Sequence, residues 1–464
     1  MQHFTTLQQL PTALLETLEQ LDYQTMTPIQ ASAIPPLLEG RDLIARAKTG
    51  SGKTAAFGIP IIHGIGTGNR HPQALILCPT RELADQVAKE LRRLARYKEN
   101  LKILTLCGGT PMRPQIASLE RGAHILIGTP GRIQDHLSRE TIYLKEIHTL
   151  VLDEADRMLD MGFHDEIEKI VSNLPKKRQS MLFSATYPEN IRKLSTKILH
   201  HPETIEVDTG HEKNVIEELA LKVSPGRKEQ ALLSLLQSRK PETTIIFCNT
   251  RAETVSLADF LQKRRFSALD LQGELDQRER NEALLKFANG SVRIMVATDV
   301  ASRGLDVKEV SMVVNYDLPH DPELYIHRIG RTARAGAKGT AVTLYLPGQR
   351  EKLSQIAPDA TDLSPEKLSG DKDFIIQSEM ATLCIDGGKK SKLRPGDILG
   401  ALSKEIGIPG KEIGKIDIFD LQAYVAIDKR SIEKAYEGLK RGKIKGKKFR
   451  VWWLDQAPDS GRSS

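Results

Sequence analysis

Short runs of apolar residues recur along the chain in two series, with longer segments of mixed polarity between them. The first series occupies residues 74–77, 103–106, 124–127 and 180–183, and the second occupies residues 244–247, 293–296, 312–314 and 341–344. Such runs, without strict alternation, are typical of strands buried on both faces of a parallel sheet. Helical segments such as 81–96 and 253–263 separate the runs, so the pattern predicts two α/β domains built from β-α-β repeats.

A different pattern begins after residue 380. It predicts a strand at 381–385, a helix at 398–405, strands at 413–419 and 423–427, a helix at 431–439 and a strand at 448–454. This βαββαβ order indicates a small split ferredoxin-like α+β module. The predicted organisation is a first α/β domain at 1–207, a linker at 208–216, a second α/β domain at 217–346, a linker at 347–373, the small domain at 374–456 and a flexible tail at 457–464.

Composition places the chain among ordinary globular proteins, with 464 residues, 39% hydrophobic and 27% charged. The formal net charge is +7. Residues 371–464 hold 19 basic and 14 acidic side chains, a net charge of +5 for that segment. Most of the excess positive charge therefore lies in the last fifth of the chain, which favours a polyanion as its partner.

Cysteine spacing and hydropathy argue against several other classes. Cys78, Cys107, Cys248 and Cys384 lack the CxxC spacing of a zinc site or disulfide framework, so we expect reduced core residues. No apolar run approaches the ~18 residues of a membrane helix, and residues 1–4 lack the basic start of a secretory signal. A cytoplasmic protein without a membrane partner is expected. Because no sustained heptads occur, the expected state is a monomer.

A glycine-rich segment at residues 47–54 has the spacing of a phosphate loop for ATP. Its backbone N–H groups can approach the phosphates, Lys53 can reach the β and γ oxygens, and the Thr54 hydroxyl suits Mg²⁺. A strand-like run at 42–45 precedes it and a helix follows, so the phosphates would meet a helix N-terminus, a context that a surface turn would lack. The ATP-binding residues predicted here are Thr49, Gly50, Ser51, Gly52, Lys53 and Thr54.

An acidic segment at residues 153–156 follows the apolar run at 149–152. Its carboxylates would emerge at the C-terminal end of a strand, where open α/β sheets bind ligands. We predict that Asp153 holds the metal and that Glu154 orients and deprotonates the attacking water. With Lys53 these residues would form the catalytic group. The alternative, an acidic helix start that is simply exposed to solvent, is disfavoured because such a segment would not require an apolar strand before it.

From Phe4 to Leu346 the chain resembles the DEAD-box family of ATP-dependent RNA helicases, with nearly every motif in the expected order. Besides the two segments above, the motifs are Thr27-Pro28-Ile29-Gln30, Ser184-Ala185-Thr186 and His327-Arg328-Ile329-Gly330-Arg331-Thr332-Ala333-Arg334. The resemblance implies two RecA-like domains in tandem and an enzyme that hydrolyses ATP with Mg²⁺. It also implies that ATP and RNA bind together across a cleft, so that closure bends one strand and unwinds RNA locally.

The resemblance implies roles around ATP for further residues. Gln30 would read the adenine edge, Phe4 would stack on the ring, and Asp306 would contact ATP from the second domain. Arg331 and Arg334, three apart, would lie on one helix face and point at the γ-phosphate as arginine fingers.

Other residues would couple hydrolysis to unwinding. These are Asp156, Ser184, Thr186 and His327, with His327 facing the Asp156 carboxylate. Ala333 stands where the family usually has glycine, a small change that leaves the charged positions intact.

The same resemblance implies a path for RNA that contacts phosphates and sugars without reading bases. In the first domain it would use Pro79, Thr80, Arg81, Gly109, Thr129, Pro130, Gly131 and Arg132. In the second domain it would use Thr250, Arg251, Gly273, Gln277, Thr298 and Arg303.

The C-terminal module resembles the specificity domain of the DbpA type within this family, through the segments 385–390, 394–402 and 442–447. That type recognises hairpin 92 of 23S ribosomal RNA in assembly of the large (50S) subunit. The usual aromatic positions of an RNA-recognition sheet fall on Cys384, Gln422 and Ile427, which leaves Tyr424 alone, so multi-base stacking on the sheet is not expected.

Basic residues would bind the RNA instead. Lys443, Lys445 and Lys447 alternate at strand period and would place three ammonium groups on one side of an extended segment. The predicted set is Lys389, Lys390, Lys392, Arg394, Lys443, Lys445, Lys447, Lys448 and Arg450. Phosphate contacts of this number predict that RNA binding depends strongly on salt concentration. The alternative is that these residues form a basic strand end that only increases solubility and binds no RNA. Of Trp452 and Trp453, on opposite strand faces, one is expected in the core.

Three rival functions stay open at this point. A general DEAD-box helicase would use the basic tail for any structured RNA, and an ATP-gated RNA clamp would show little turnover. The clamp is disfavoured because Lys53, Asp153, Glu154, Arg331 and Arg334 are all present. A DNA translocase is opposed by the motif at residues 27–30 and by the RNA-recognition-like tail, so no DNA partner is expected.

Overall fold

A computed structural model describes residues 2–47, 51–206, 216–299, 310–332, 339–364, 368, 370–371 and 373–454. These residues form two compact units, one with the described residues up to 206 and one with those from 216 onward. Several predicted positions lie outside the described residues, namely Thr49, Gly50, Arg303, Asp306 and Arg334, together with the tail at 457–464 and the linker at 208–216 apart from Ile216.

The first unit contains a sheet of parallel strands. They are β1 (Leu43–Arg46), β2 (Ala74–Leu77), β3 (Ile103–Leu106), β4 (Ile125–Gly128), β5 (Thr149–Asp153), β6 (Gln179–Ser184) and β7 (Glu203–Glu206). Their order is β3-β4-β2-β5-β6-β1-β7, with every pairing parallel. Strands β2, β4 and β5 consist of buried residues. The apolar sequences of β2 and β4 predict this, whereas β5 also buries Thr149 and Asp153.

Helices cover both faces of this sheet. They are α1 (Thr12–Gln20), α2 (Pro28–Leu38), α3 (Lys53–Gly64), α4 (Arg81–Leu94), α5 (Met112–Glu120), α6 (Pro130–Ser138), α7 (Ala155–Asp160), α8 (His164–Ser172) and α9 (Glu189–Ile198). Alternate residues of β2 enter different cores. Ala74 and Ile76 pack with residues of α2, α3 and α4, whereas Leu75 and Leu77 pack with residues of α6, α8 and α9.

The second unit contains a sheet of the same kind. Its strands are β8 (Ile216–Lys222), β9 (Thr244–Phe247), β10 (Ala268–Leu271), β11 (Ile294–Ala297), β12 (Met312–Asn315), β13 (Gly339–Tyr345) and β14 (Thr361–Leu363). The order is β10-β11-β9-β12-β13-β8-β14, again parallel. The accompanying helices are α10 (Lys228–Arg239), α11 (Arg251–Lys263), α12 (Gln277–Ala288), α13 (Pro322–Ile329) and α14 (Arg350–Ile356). Residues 347–373, predicted as a linker, thus include α14 and a strand that joins this sheet.

A small antiparallel sheet completes the second unit. It comprises β15 (Met380–Ile385), β16 (Ile413–Ile418), β17 (Ala423–Asp428) and β18 (Val451–Trp453) in the order β16-β17-β15-β18. Helices α15 (Pro395–Gly400) and α16 (Ile432–Arg441) pack on one face, and a π-helical turn, Ala401–Glu405, continues α15. Two parallel-sheet domains followed by a small α+β domain confirm the predicted fold class.

The other face of the small sheet packs against the larger sheet domain of the same unit. Leu285 of α12 is buried in one cluster with Cys384 and Tyr424. Beside this cluster, Asn289 Nδ2 donates to Thr382 Oγ1 over 2.9 Å. The face on which an ordinary RNA-recognition domain stacks bases is therefore covered by protein here.

Side-chain placement on the small sheet corrects one prediction and settles another. Ile427 was predicted on the stacking face, which was wrong, because it lies three residues from Tyr424 and joins the core on the opposite face. Trp453 packs on that core, with its ring centroid 6.3 Å from that of Tyr436, whereas Trp452 packs beside Tyr424. Among the described helices, none is long and apolar enough to cross a membrane.

Candidate ATP and RNA site

The phosphate loop enters α3 through Gly52, whose φ of +92° suits glycine. A Cβ atom there would lie 2.6 Å from Gln30 Nε2. The Gln30 side chain is buried, with Nε2 donating to Gly52 O over 3.2 Å and Oε1 accepting from Thr27 N over 2.9 Å. The segment predicted to read adenine therefore touches the phosphate loop directly. Phe4 is buried edge-on against Tyr23, and adenine recognition by Phe4 and Gln30 stays a prediction.

Two oppositely charged groups are buried at the centre of the site. Lys53, the first residue of α3, is 7% exposed, and Asp153, the last residue of β5, is 2% exposed. Neither Lys53 Nζ nor Asp153 Oδ1 has a hydrogen-bond partner among the described residues. Burial raises the pKa of Asp153 to about 6, although the Lys53 charge opposes this shift. Because unpartnered buried charges are costly, these groups fit a site that receives a polyphosphate and a divalent cation.

Glu154 adopts a backbone conformation that non-glycine residues rarely take. Its φ is +54°, and it forms the N-cap of α7. The Glu154 Oε2 atom accepts a hydrogen bond from Arg157 Nη1 over 2.8 Å, and both side chains are buried. This pair orients the carboxylate next to Asp153. Sequence reasoning missed Arg157, although its spacing of three residues from Glu154 on a helix was the available signal.

Asp156 joins the acidic segment to the segment predicted to couple hydrolysis with unwinding. Its Oδ2 accepts from the backbone N–H groups of Ala185 and Thr186, each over 3.0 Å, and from Thr186 Oγ1 over 3.1 Å. Ser184 Oγ accepts from Asp156 N over 3.3 Å. Since β5 and β6 are adjacent strands, this contact fixes the loops that follow both of them.

The predicted RNA-binding residues of the first unit follow the C-terminal ends of β2 and β4 and the loop after β3. Thr80 Oγ1 accepts from Leu83 N over 3.3 Å at the start of α4. Pro130 begins α6, and Arg132 Nη1 donates to Thr110 O over 3.0 Å. These neighbouring strands bring the predicted residues to one edge of the sheet.

Gly109 allows the Arg81 guanidinium to approach the backbone at this edge. Its φ is +66°, and a Cβ atom would overlap Arg81 Nη1. The absence of a side chain at Gly109 thus lets Arg81, a predicted RNA contact, pack against the loop after β3.

A buried network that the sequence did not reveal holds the same loop. His136 Nε2 donates to Gln115 Oε1 over 2.9 Å, and Gln115 Nε2 donates to Cys107 O over 3.0 Å and to Thr110 Oγ1 over 2.6 Å. Burial lowers the pKa of His136 and favours its neutral form. Gln115 and His136 lie on separate helices, α5 and α6, so no sequence spacing links them.

Arg328 is the largest fully buried side chain among the described residues. Its Nε and Nη2 atoms donate to the two carboxylate oxygens of Asp299 over 2.7 and 2.6 Å. Nη2 also donates to Asn249 Oδ1 over 2.9 Å, and Nη1 donates to Asp317 O over 2.8 Å. These partners follow β9, β11 and β12, so one guanidinium ties three strand ends together.

The Arg328 contacts connect segments with different predicted roles. Asn249 precedes Thr250, and Asp299 follows Thr298, both predicted RNA contacts. Sequence reasoning missed Arg328, although it lies within the arginine-rich segment at 327–334, because its burial was not visible from spacing.

The predicted helical placement of Arg331 was wrong, because α13 ends at Ile329 and Arg331 lies beyond it. Arg334 lies outside the described residues, so its role stays a prediction. Gly330 ends the helix, and the next residues form a short parallel bridge between Val310 and Thr332. Arg331 is buried, at 6% exposed.

The remaining predicted RNA contacts of the second unit lie at helix starts. Thr250 Oγ1 accepts from Glu253 N over 3.2 Å at the start of α11, and Arg251 forms an ion pair with Glu274. Gln277 begins α12, just after the turn that contains Gly273.

A carboxyl pair lies beside Thr250. Glu253 shares a hydrogen bond with Asp317, and this bond together with burial raises the pKa of Glu253 to about 7. Asp317 Oδ2 accepts from Asn249 N over 2.9 Å, and Asp317 Oδ1 binds Lys228 Nζ over 2.5 Å. The pair therefore holds a proton near neutral pH.

The predicted basic residues of the small domain are all exposed. We call this set the basic surface: Lys389, Lys390, Lys392, Arg394, Lys443, Lys445, Lys447, Lys448 and Arg450. Lys445 Nζ donates to Lys392 O over 3.2 Å and lies 3.5 Å from Asp397 Oδ2. The two basic segments therefore meet, and RNA binding by this surface stays a prediction.

The segment with alternating lysines is not extended, so that part of the prediction was wrong. Ile444 N donates to Lys447 O over 2.8 Å and Lys447 N donates to Ile444 O over 3.1 Å, which closes a two-residue turn. Lys445 and Gly446 have φ of +53° and +76°, the values of a type I′ turn. The turn, with its glycine, replaces the strand that the alternation indicated.

Comparisons with known proteins agree with this architecture. The DEAD/DEAH box helicase family model matches residues 27–194, the helicase conserved C-terminal domain matches residues 227–336, and the DbpA RNA binding domain matches residues 382–452.

Full-length relatives and a solved structure are also similar. The chain is 48% identical to the ATP-dependent RNA helicase DbpA of Escherichia coli, across 97% of this chain and 98% of that one. It is 37% identical to DbpA of Bacillus subtilis, across 97% and 99%. Dbp5 of Saccharomyces cerevisiae, solved with RNA and ADP BeF3, is 30% identical over 79% of this chain and 96% of that chain, with a TM-score of 0.70.

Proposed function

We propose, since this chain belongs to the DbpA type of DEAD-box ATP-dependent RNA helicase, that its small domain directs unwinding to hairpin 92 of 23S ribosomal RNA in assembly of the large (50S) subunit. The chain is an ATP hydrolase that acts on RNA. The single observation that supports targeting by the small domain is its basic surface, in which two segments distant in sequence are joined through Lys445. Because the open sheet face is covered by α12, the small domain would bind a folded RNA through this surface.

Different residues of the first unit would bind the phosphates of ATP, hold Mg²⁺ and activate the attacking water. The phosphate loop, with Lys53, would hold the β- and γ-phosphates, and Thr54 and Asp153 would hold Mg²⁺, which supplies charge neutralisation for phosphoryl transfer. Glu154, oriented by Arg157, would position and deprotonate the attacking water.

Further residues would stabilise and transmit this reaction. Arg331 and Arg334 would neutralise charge on the γ-phosphate, Asp306 would contact ATP, and His327 would act with Asp156. Asp156 would pass the change in the phosphate site to residues 184–186, which it contacts directly. We further propose that the protein acts as a monomer in the cytoplasm.

A charge-removal variant of the full chain tests the targeting. The variant carries Lys389→Ala, Lys390→Ala and Lys445→Ala, and a matched control removes three exposed lysines of the first unit, Lys176, Lys177 and Lys193. We expect the first variant to lose stimulation of its ATPase by a 23S fragment containing hairpin 92 and to keep weak stimulation by generic duplex RNA.

The salt dependence of binding gives a second readout. Each lost phosphate contact lowers the slope of log affinity against log salt by about one, so the slope should fall by up to about three in the variant and not in the control. Equal loss with both RNAs would instead favour a general helicase with a nonspecific basic tail.

A further inference from the structure

Two apolar side chains stand exposed beside the basic surface. Phe419 is 47% exposed and Leu421 is 64% exposed, and both lie in the turn between β16 and β17. Phe419 N donates to Gln422 O over 2.8 Å, which closes the turn. Two large apolar side chains exposed within one turn and next to charged residues are the kind of surface that marks an interaction site.

The turn is attached to the basic surface by its backbone. Lys389 N donates to Phe419 O over 2.8 Å, and Lys390 N donates to Asp420 O over 2.9 Å. A Cβ atom at Gly388 would overlap Phe419 O, so only glycine permits this approach. The Phe419 ring is thus fixed next to two lysines.

The orientation of the ring is also set. Phe419 and Tyr424 pack edge to face, with centroids 5.6 Å apart and an interplanar angle of 86°. Tyr424 in turn donates from its hydroxyl to Gln422 Oε1 over 2.8 Å and packs beside Leu285 of α12. Tyr424 is buried by this packing, whereas nearly half of Phe419 stays open to solvent.

We propose that Phe419 is a stacking site for one unpaired nucleobase of the RNA that the basic surface holds, with Leu421 covering the edge of that base. This inference rests on the proposed function, because it places the base next to phosphates bound by Lys389 and Lys390. The lysines favour RNA over an apolar peptide as the occupant, since they attract phosphates while every nucleobase offers a flat face to an aromatic ring. An RNA hairpin supplies such a base in its loop.

The test measures equilibrium binding of RNA to the full chain without ATP, over a series of salt concentrations. Phe419→Ala should weaken binding of a hairpin RNA by roughly 5- to 150-fold, the range found for loss of one stacked base. The salt slope should not change, because no charge is removed, whereas Lys389→Ala should lower the slope by about one. Phe419→Trp should retain the affinity, and Tyr143→Ala, which removes a similarly exposed aromatic (45%) of the first unit, should have no effect.

A fluorescent base analogue locates the contact. With 2-aminopurine at successive loop positions, one position should be quenched by the parent chain and not by Phe419→Ala. If Phe419→Ala changed neither the affinity nor the quenching, the proposal would be overturned. The exposed ring would then be a candidate contact for a protein partner. A fold readout comes from circular dichroism and thermal unfolding of the full chain, in which Phe419→Ala should match the parent. Failure of the targeting is distinguished separately, because the parent chain would then bind the 23S fragment and an unrelated hairpin equally.

Discussion

Replacing Asp153 by Asn should make the protein more stable while it abolishes ATP turnover. The carboxyl is buried, its pKa is raised from 3.8 to about 6, and its Oδ1 atom has no hydrogen-bond partner among the described residues. The folded state therefore holds the proton more tightly than the unfolded state does. Stability falls as pH rises from about 4 to about 6 and does not recover above that range.

The size of the gain follows from this shift. A rise of about two pKa units corresponds to about 3 kcal/mol of lost stability at pH 8. Burying an unpartnered amide in place of the carboxylate costs about 1 kcal/mol, so the net gain is about 2 kcal/mol. For a unit of this size the melting temperature should rise by about 4–8 °C.

Thermal unfolding of the full chain, without ATP or divalent metal, measures this effect at pH 8 and pH 5. The gain should shrink at pH 5, where much of the parent carboxyl is protonated. Asp156→Asn is the matched control, because its carboxylate accepts hydrogen bonds from Ala185 and Thr186, and its loss should lower the melting temperature. A lower melting temperature for Asp153→Asn at pH 8, or an equal gain at both pH values, would show that the buried Asp153 carboxylate does not destabilise the folded state.

Three further variants test other parts of the site. Arg328→Lys removes the two-point contact with the Asp299 carboxylate. The second unit should lose about 3 kcal/mol of stability, which a lower denaturant midpoint would show. RNA-stimulated turnover should weaken more than ATP binding does. Gly109→Ala should cost about 1 kcal/mol for its positive φ and raise the RNA concentration for half-maximal ATPase by displacing Arg81, whereas Gly68→Ala, in open space and outside the predicted RNA path, should not. Glu253→Gln should stabilise the protein by about 1 kcal/mol at pH 8, after allowance for its partial exposure, and not at pH 4, because the parent loses stability as pH rises from about 4.5 through about 7.

The buried parallel strands could be predicted because each is a short apolar segment that is visible in the local sequence. An unbroken apolar run such as β2 has one stable placement, in a strand whose two faces are both covered. The edge strand β14 was missed because two of its three residues, Thr361 and Asp362, are exposed and polar, so pairing with β8 rather than side-chain burial holds it. The lysine alternation at 443–447 misled for a related reason, since Gly446 permits a turn that alternation alone does not indicate.

Candidate site residues in short motifs could be named from the sequence, whereas the residues that support them could not. Lys53 and Asp153 belong to short motifs whose chemistry requires those side chains at that spacing. Arg328, Gln115 and His136 act through contacts between elements far apart in sequence, and only the folded structure brings these together.

The most direct test of targeted helicase activity is steady-state ATP hydrolysis by the full chain without RNA, with generic duplex RNA, and with a 23S ribosomal RNA fragment containing hairpin 92. We expect strong stimulation by the fragment and weak stimulation by the duplex. Equal stimulation by both RNAs would contradict the targeting and leave a general helicase. Negligible turnover in all three arms would contradict an RNA-stimulated ATPase and favour an ATP-gated clamp.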